Sequence, residues 1–186
     1  HETTRACLEY IDEISESLRS PASRLSFLDM GCGSGILSIA AAKLGFGPVA
    51  GFDIDEEAVK ASRENAALNV VVVDYRVFAL GKGAVSFDES IEAAKGIYPD
   101  LSLQEKAESS PDERFQPADL VVANILGPLL IAFADEISGY AKETLIVSGI
   151  LNELYPDVLK TFAARGFREI SRKTLGEWTT GRLARR

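Results

Sequence analysis

The chain has 186 residues, 46% hydrophobic and 26% charged, with a net charge of −8; that length suits one domain burying roughly 70% of its unfolded-chain surface. No apolar run nears the roughly 18 residues of a membrane span, and two cysteines without CxxC spacing, Cys7 and Cys32, argue against a disulfide framework or a thiolate zinc site and fit a reducing, cytoplasmic setting. The single histidine is His1, so the interior has no residue for a Ser-His-Asp machine or a multi-histidine metal site, and no metal is expected.

Along the chain, Cys7, Ile11, Ile14 and Leu18 recur at helical spacing between acids, which predicts an amphipathic helix over 3–19. After a Ser-Pro-Ala-Ser breaker, a strand over 25–30 runs into the glycine turn Gly31-Cys-Gly-Ser-Gly35 and a helix over 36–44 that ends at Gly45. A second strand covers 49–54. Asp55 then opens a helix with Val59, Ser62 and Ala66 on one face and Lys60 four residues from Glu56. A third strand falls somewhere in 70–80, led by the β-branched run 70–73. The stretch 81–117 has the least pattern and reads as an insertion. A buried strand over 119–125 precedes Gly127-Pro128 and one helix reaching Tyr140; a strand over 144–148 is backed by a helix with Leu151, Leu154, Tyr155, Val158, Leu159 and Phe162 inward, stopped at Gly166. Residues 167–173 and 178–183 form a closing hairpin around Leu175-Gly176. The alternation predicts one α/β domain over 1–186, doubly wound around a mostly parallel seven-stranded sheet with a C-terminal antiparallel hairpin, and places ligands beyond the carboxyl ends of the strands.

The chemistry concentrates in three places. Asp29 and the turn glycines Gly31, Gly33 and Gly35, with Cys32 between them, form GxGxG after an acid, on a strand-to-helix turn whose backbone N–H groups can face an anionic group. A dinucleotide turn would place its third glycine at position 36, where this chain has Ile36. Asp53, at the end of the second strand, can accept both hydroxyls of a ribose, whereas Asp55 is an N-cap. Asn124 ends the strand across the switch point. Its neutral amide oxygen can accept an N–H from an amine while leaving the lone pair free, where a carboxylate would favour the unreactive ammonium.

Together the segments 1–5 (HETTR), 31–37 (GCGSGIL), 51–55 (GFDID), 121–125 (VVANI), 148–151 (SGIL) and 176–178 (GEW) resemble the catalytic domain of the PrmA family, the ribosomal protein L11 methyltransferases. The resemblance implies a Rossmann-like class I fold, S-adenosylmethionine (SAM) as cofactor, cofactor contacts at Thr4, Gly31, Asp53 and Asn124, and methylation of lysine and N-terminal amines on a basic large-subunit ribosomal protein, without direct nucleic-acid or membrane binding. Without the resemblance, Thr3 or Thr4 reads as the cap of the first helix. The same fold acting on another protein amine or a small molecule, a non-catalytic SAM or nucleotide module, and an NAD oxidoreductase stay open. The resemblance also leads one to expect a substrate-recognition domain upstream of His1, outside this sequence. Residues 165–186 carry seven cations against two acids, a balance of +5, which leaves −13 on the rest; an acidic body favours a basic partner.

Overall fold

Helix α1 (Glu2–Ser15) begins where His1 caps it: His1 Nδ1 accepts from the Thr3 amide at 3.5 Å and shares a hydrogen bond with the Thr3 hydroxyl at 3.0 Å. Neither Thr3 nor Thr4 is therefore the cap; both lie inside the first turn. The face predicted from the pattern is buried, with Ala6 and Tyr10 added to Cys7, Ile11 and Ile14. In this computed structural model the described residues are 1–16, 24–81 and 115–186, so Leu18 and the insertion expected over 81–117 lie, in whole or in greater part, outside them.

The strands β1 (Phe27–Met30), β2 (Val49–Asp53), β3 (Asp74–Val77), β4 (Ala118–Asn124), β5 (Ala141–Leu151), β6 (Phe167–Leu175) and β7 (Trp178–Arg185) form one sheet in the order β3-β2-β1-β4-β5-β7-β6. The first five are parallel and β7 runs antiparallel to both β5 and β6. This is the doubly wound, mostly parallel sheet with a closing hairpin that the alternation predicts. Its order reverses between β1 and β4, which opens a crevice at their carboxyl ends.

Alternate side chains along each central strand feed two cores, as strands buried on both faces must. Phe27, Val122 and Ile146 pack under α1 and α2 (Ile36–Lys43), with α3 (Glu56–Leu68) on the same side against β3; Leu28, Val121 and Leu145 pack under α4 (Gly127–Ala132), α5 (Ala134–Tyr140) and α6 (Tyr155–Ala163). Three layers result. Several cations of the basic C-terminal segment pair within the molecule: Lys173 bridges Glu9 and Glu13 of α1 at 2.8 and 2.7 Å, Arg172 pairs with Glu169, and Arg165, just before the hairpin, pairs with Asp135.

Four local readings change. The run at 70–73 is not strand: Val70 has φ 56°, Val70 and Val72 are more than 90% exposed, and β3 starts at Asp74, where Tyr75 turns into the core. The helix expected to reach Tyr140 is two, because buried Phe133 (φ −102°, ψ 17°) breaks it. Strand β5 is eleven residues long, so Leu151 ends a strand instead of facing a helix. Lys60 approaches Glu57, at 3.8 Å, rather than Glu56. Asp55 does cap α3, accepting from the Glu57 amide at 3.0 Å.

Candidate active site

The turn at 31–35 is shaped from below. Asp29 is fully buried, and its Oδ2 accepts from the Ser38 amide at 3.2 Å and the Ser38 hydroxyl at 2.9 Å; the Ser38 hydroxyl meets that of Tyr75 at 2.9 Å. A polar chain thus runs from β1 through the first turn of α2 to β3. Gly35 caps α2 with φ 79°, and a Cβ there would collide with the Tyr75 hydroxyl, so this glycine serves both a left-handed backbone and a close approach. Burial pushes the Asp29 carboxyl up to about 7, and among the described residues its Oδ1 has no hydrogen-bond partner. The structure therefore makes Asp29 a brace for the turn, with no surface offered to a ligand. Cys32 is likewise buried, its thiol 4.0 Å from the Ser62 hydroxyl and its pKa pushed up by burial; only its backbone belongs to the turn.

Asp53 stands at the rim, at the end of β2. Its Oδ2 accepts from the Gly33 amide at 2.9 Å and its Oδ1 from the Asp55 amide at 3.1 Å. An ionised carboxylate has about four lone-pair positions, so two remain to accept hydroxyls from outside. The turn and α3 fix the carboxylate before any ligand arrives.

Beyond the carboxyl ends of β1, β2 and β4 lies a cavity of about 350 Å³, within the usual range for small-molecule sites. Gly31, Asp53 and Asn124 line it, as the sequence predicts. Its walls are apolar and were not predicted: Phe52 and Ile54 on β2 and its exit, Phe78 and Leu80 after β3, and Leu129 and Phe133 across the gap. Phe52, Ile54, Phe78 and Leu80 lie at or just past the carboxyl ends of β2 and β3, a positional signal that could have found them, whereas Leu129 and Phe133 come from the helix after β4 and its end. The Gly81 amide donates to Glu136 Oε2 at 2.8 Å and ties the wall after β3 to α5. Asn124 is half-buried, and among the described residues its carboxamide makes no hydrogen bond.

Five predicted residues are not in the lining: Asp29 and Cys32 are buried under the turn, Gly33 and Gly35 shape the turn behind it, and Thr4 sits half-buried on α1. Next to Thr4, the Thr3 carbonyl accepts from the Ser148 hydroxyl at 3.5 Å, which joins the start of α1 to β5. The site can hold a flat apolar group beside vicinal hydroxyls, with a neutral amide acceptor opposite.

Among known proteins, the family model described as Ribosomal protein L11 methyltransferase (PrmA) matches residues 1–186. Curated relatives carrying the name Ribosomal protein L11 methyltransferase include one from Ruminiclostridium cellulolyticum, 33% identical over 96% of this chain and 47% of its own length, and one from Chloroflexus aurantiacus, 36% identical over 96% and 52%. The chain thus spans about half the length of these relatives. The crystal structure of a ribosomal protein L11 methylase from Lactobacillus delbrueckii subsp. bulgaricus superposes with a TM-score of 0.70 at 26% identity, covering 100% of this chain and 80% of the other. A magnesium protoporphyrin IX methyltransferase from Synechocystis PCC 6803 with bound SAM, at 17% identity and a TM-score of 0.66, shares the fold.

Proposed function

The chain belongs to the ribosomal protein L11 methyltransferase (PrmA) family, and we propose that it binds SAM in the cavity and transfers methyl groups from it to lysine and N-terminal amines of ribosomal protein L11. The observation that carries this reading is the pairing of a pre-fixed carboxylate, Asp53, with an unbonded neutral amide, Asn124, in one apolar cavity. The residues fit the cofactor: Asp53 has two free lone-pair positions for ribose hydroxyls, the wall from Phe52 to Leu80 suits a flat base, and the 31–35 turn lets a ligand approach the backbone.

When bound, SAM supplies a methyl group on a sulfonium. The protein then has to align and desolvate the acceptor, which needs neither nucleophile nor metal. Asn124 Oδ1 accepts one N–H of the acceptor amine and orients its lone pair. Because it is uncharged, it does not hold the amine as ammonium. Apolar Leu126, Leu129 and Phe133 exclude water and disfavour the charged form further. Asp29, Cys32, Gly33 and Gly35 support the site from behind it.

The acidic body suits a basic protein substrate. Among the described residues no helix is long and apolar enough to cross a membrane, and a cytoplasmic location suits a ribosomal substrate. A thermal-shift comparison tests the cofactor. SAM and S-adenosylhomocysteine should each raise the melting temperature and NAD should not; stabilisation by NAD alone would overturn the reading.

A further inference from the structure

Ile125, the residue after Asn124, is held between two glycines with left-handed backbones. On one side is Gly31 of the turn (φ 72°), where a Cβ would come within 2.6 Å of Ile125 Cγ2; on the other is Gly149 of β5 (φ 78°), where a Cβ would meet the Ile125 carbonyl oxygen at 2.5 Å and its carbon at 3.0 Å. The same Cβ would lie 3.5 Å from Asn124 Oδ1. Gly149 sits in a β-bulge: β5 pairs with β7 in one register up to Val147 and in another from Ile150. Such a bulge re-aims a strand. Here it presses the end of β5 onto the exit of β4, just past the pair Asn124 and Ser148.

We propose that Gly149 is a positioning residue for the methyl-transfer reaction, setting where Asn124 presents its amide by admitting the Ile125 carbonyl against its own backbone. The inference rests on the proposed function for what Asn124 does, and on geometry alone for how Asn124 is held. The direction of any displacement follows from what is anchored. Strand β5 cannot yield easily, because the Ser148 hydroxyl bonds that of Thr180 at 2.6 Å and Ile150 and Leu151 pair with Thr179 and Trp178 of β7. On the β4 side the Leu126 carbonyl is tied to α4, accepting from the Leu129 and Leu130 amides at 2.9 and 3.1 Å, whereas among the described residues the Asn124 carboxamide has no hydrogen bond to hold it against a shift. An added methyl group at position 149 therefore moves Asn124 and leaves β5 in place. Asp53 keeps its bonds from the Gly33 and Asp55 amides, and Gly31, which abuts the Ile125 side chain, is itself tied to β2 by its amide, which donates to the Phe52 carbonyl at 2.9 Å.

The structure supplies its own control for backbone strain. Gly166 has φ 84°, close to that of Gly149, but a Cβ there meets nothing within 4 Å. Gly149→Ala and Gly166→Ala therefore share the left-handed strain and differ in the contact. Purified variants are compared by calorimetric titration with S-adenosylhomocysteine, by steady-state methylation of ribosomal protein L11, and by the NMR signal of the Asn124 side-chain amide, assigned by its loss in Asn124→Ala. The expected result is a Kd within twofold of wild type for both, kcat at least tenfold lower in Gly149→Ala alone, and an Asn124 amide signal shifted in Gly149→Ala alone. If Gly149→Ala does not fold, Gly149→Asn adds the same Cβ with less strain, asparagine being the L residue most at ease at positive φ, and is read in the same way. Equal kcat in the two alanine variants, or an unmoved Asn124 signal in a folded Gly149 variant, overturns the proposal. Should wild type methylate nothing, the function fails, and the NMR comparison still decides the positioning.

Discussion

Replacing Asp29 with asparagine separates the shape of the brace under the glycine turn from its charge. Burial is the main cause that raises this carboxyl from 3.8 to about 7; the two Ser38 hydrogen bonds pull it down, and the Asp53 charge pushes it up. A folded-state pKa above the unfolded value means that the folded protein holds the proton more tightly. The stabilisation is therefore complete below pH 4 and is lost as pH rises through about 7. The full span corresponds to about 4 kcal/mol, more than half of it falling between pH 5 and 7. The substituted carboxamide would keep an oxygen for Ser38 and cannot titrate. Urea unfolding of both proteins at half-unit steps from pH 5 to 8 should show the stability of Asp29→Asn, relative to wild type, climbing with pH and levelling off above about 7. Glu9, Asp119 and Asp135, whose pKa values are lowered by Lys173, Ser26 and Arg165 among others, tilt both proteins the opposite way and cancel in the difference. A difference that stays flat across this range would refute the assignment of a buried, neutralised carboxyl to the turn.

Asp53→Ala should weaken SAM and S-adenosylhomocysteine at least tenfold by calorimetry, since each hydrogen bond lost to an ionised acceptor costs about 1.5–3 kcal/mol; equal affinity would remove Asp53 from the site. Asn124→Ala should lower kcat at saturating SAM more than Asn124→Gln does, and a variant as fast as wild type would remove it from the mechanism. The wild-type rate should rise with pH, because with a lysine pKa of ~10.4 about one side chain in 2,500 is neutral at pH 7, a deficit of ~4.6 kcal/mol that the apolar walls reduce; a flat profile from pH 7 to 9 with chemistry rate-limiting would contradict this. Gly35→Ala should be destabilising through both its positive φ and the Tyr75 hydroxyl, and Tyr75→Phe should recover part of the loss, with a coupling above about 0.5 kcal/mol in a double-mutant cycle. Strict additivity would mean that the hydroxyl is not what the methyl group strikes.

Much of this architecture is legible because the signals are local. The glycine turn, the Asp55 cap, Gly127-Pro128 at a helix start and the hairpin around Gly176 each state a backbone conformation in two to five residues. What fails depends on partners distant in sequence. The valines at 70–73 have strand propensity, but the strand begins where Tyr75 finds Ser38 and Gly35, across 37 and 40 positions. The break at Phe133 arises because that ring is buried against the central core, and nothing in the periodicity marks it. Within the site, Asp53 and Asn124 are readable from their places at strand ends. The motif puts Asp29 at the ligand, whereas in the fold its carboxyl is buried under the glycine turn, because the face of β1 that carries it looks toward α2; Ser38, a lone polar residue on the buried side of an apolar helix, is the available clue. The apolar walls assemble from the exits of β2 and β3 and the helix after β4, and leave no motif.

The most direct test of the account is a single-turnover reaction in which residues 1–186, preloaded with methyl-labelled SAM, are mixed with ribosomal protein L11, for wild type and for Asn124→Ala. The account predicts slow labelling of L11 amines with wild type, because the recognition domain expected upstream of His1 is not among residues 1–186, and a rate at least tenfold lower still with Asn124→Ala at equal SAM occupancy. SAM bound in full with no label transferred to L11, or the same rate from both proteins, would contradict it.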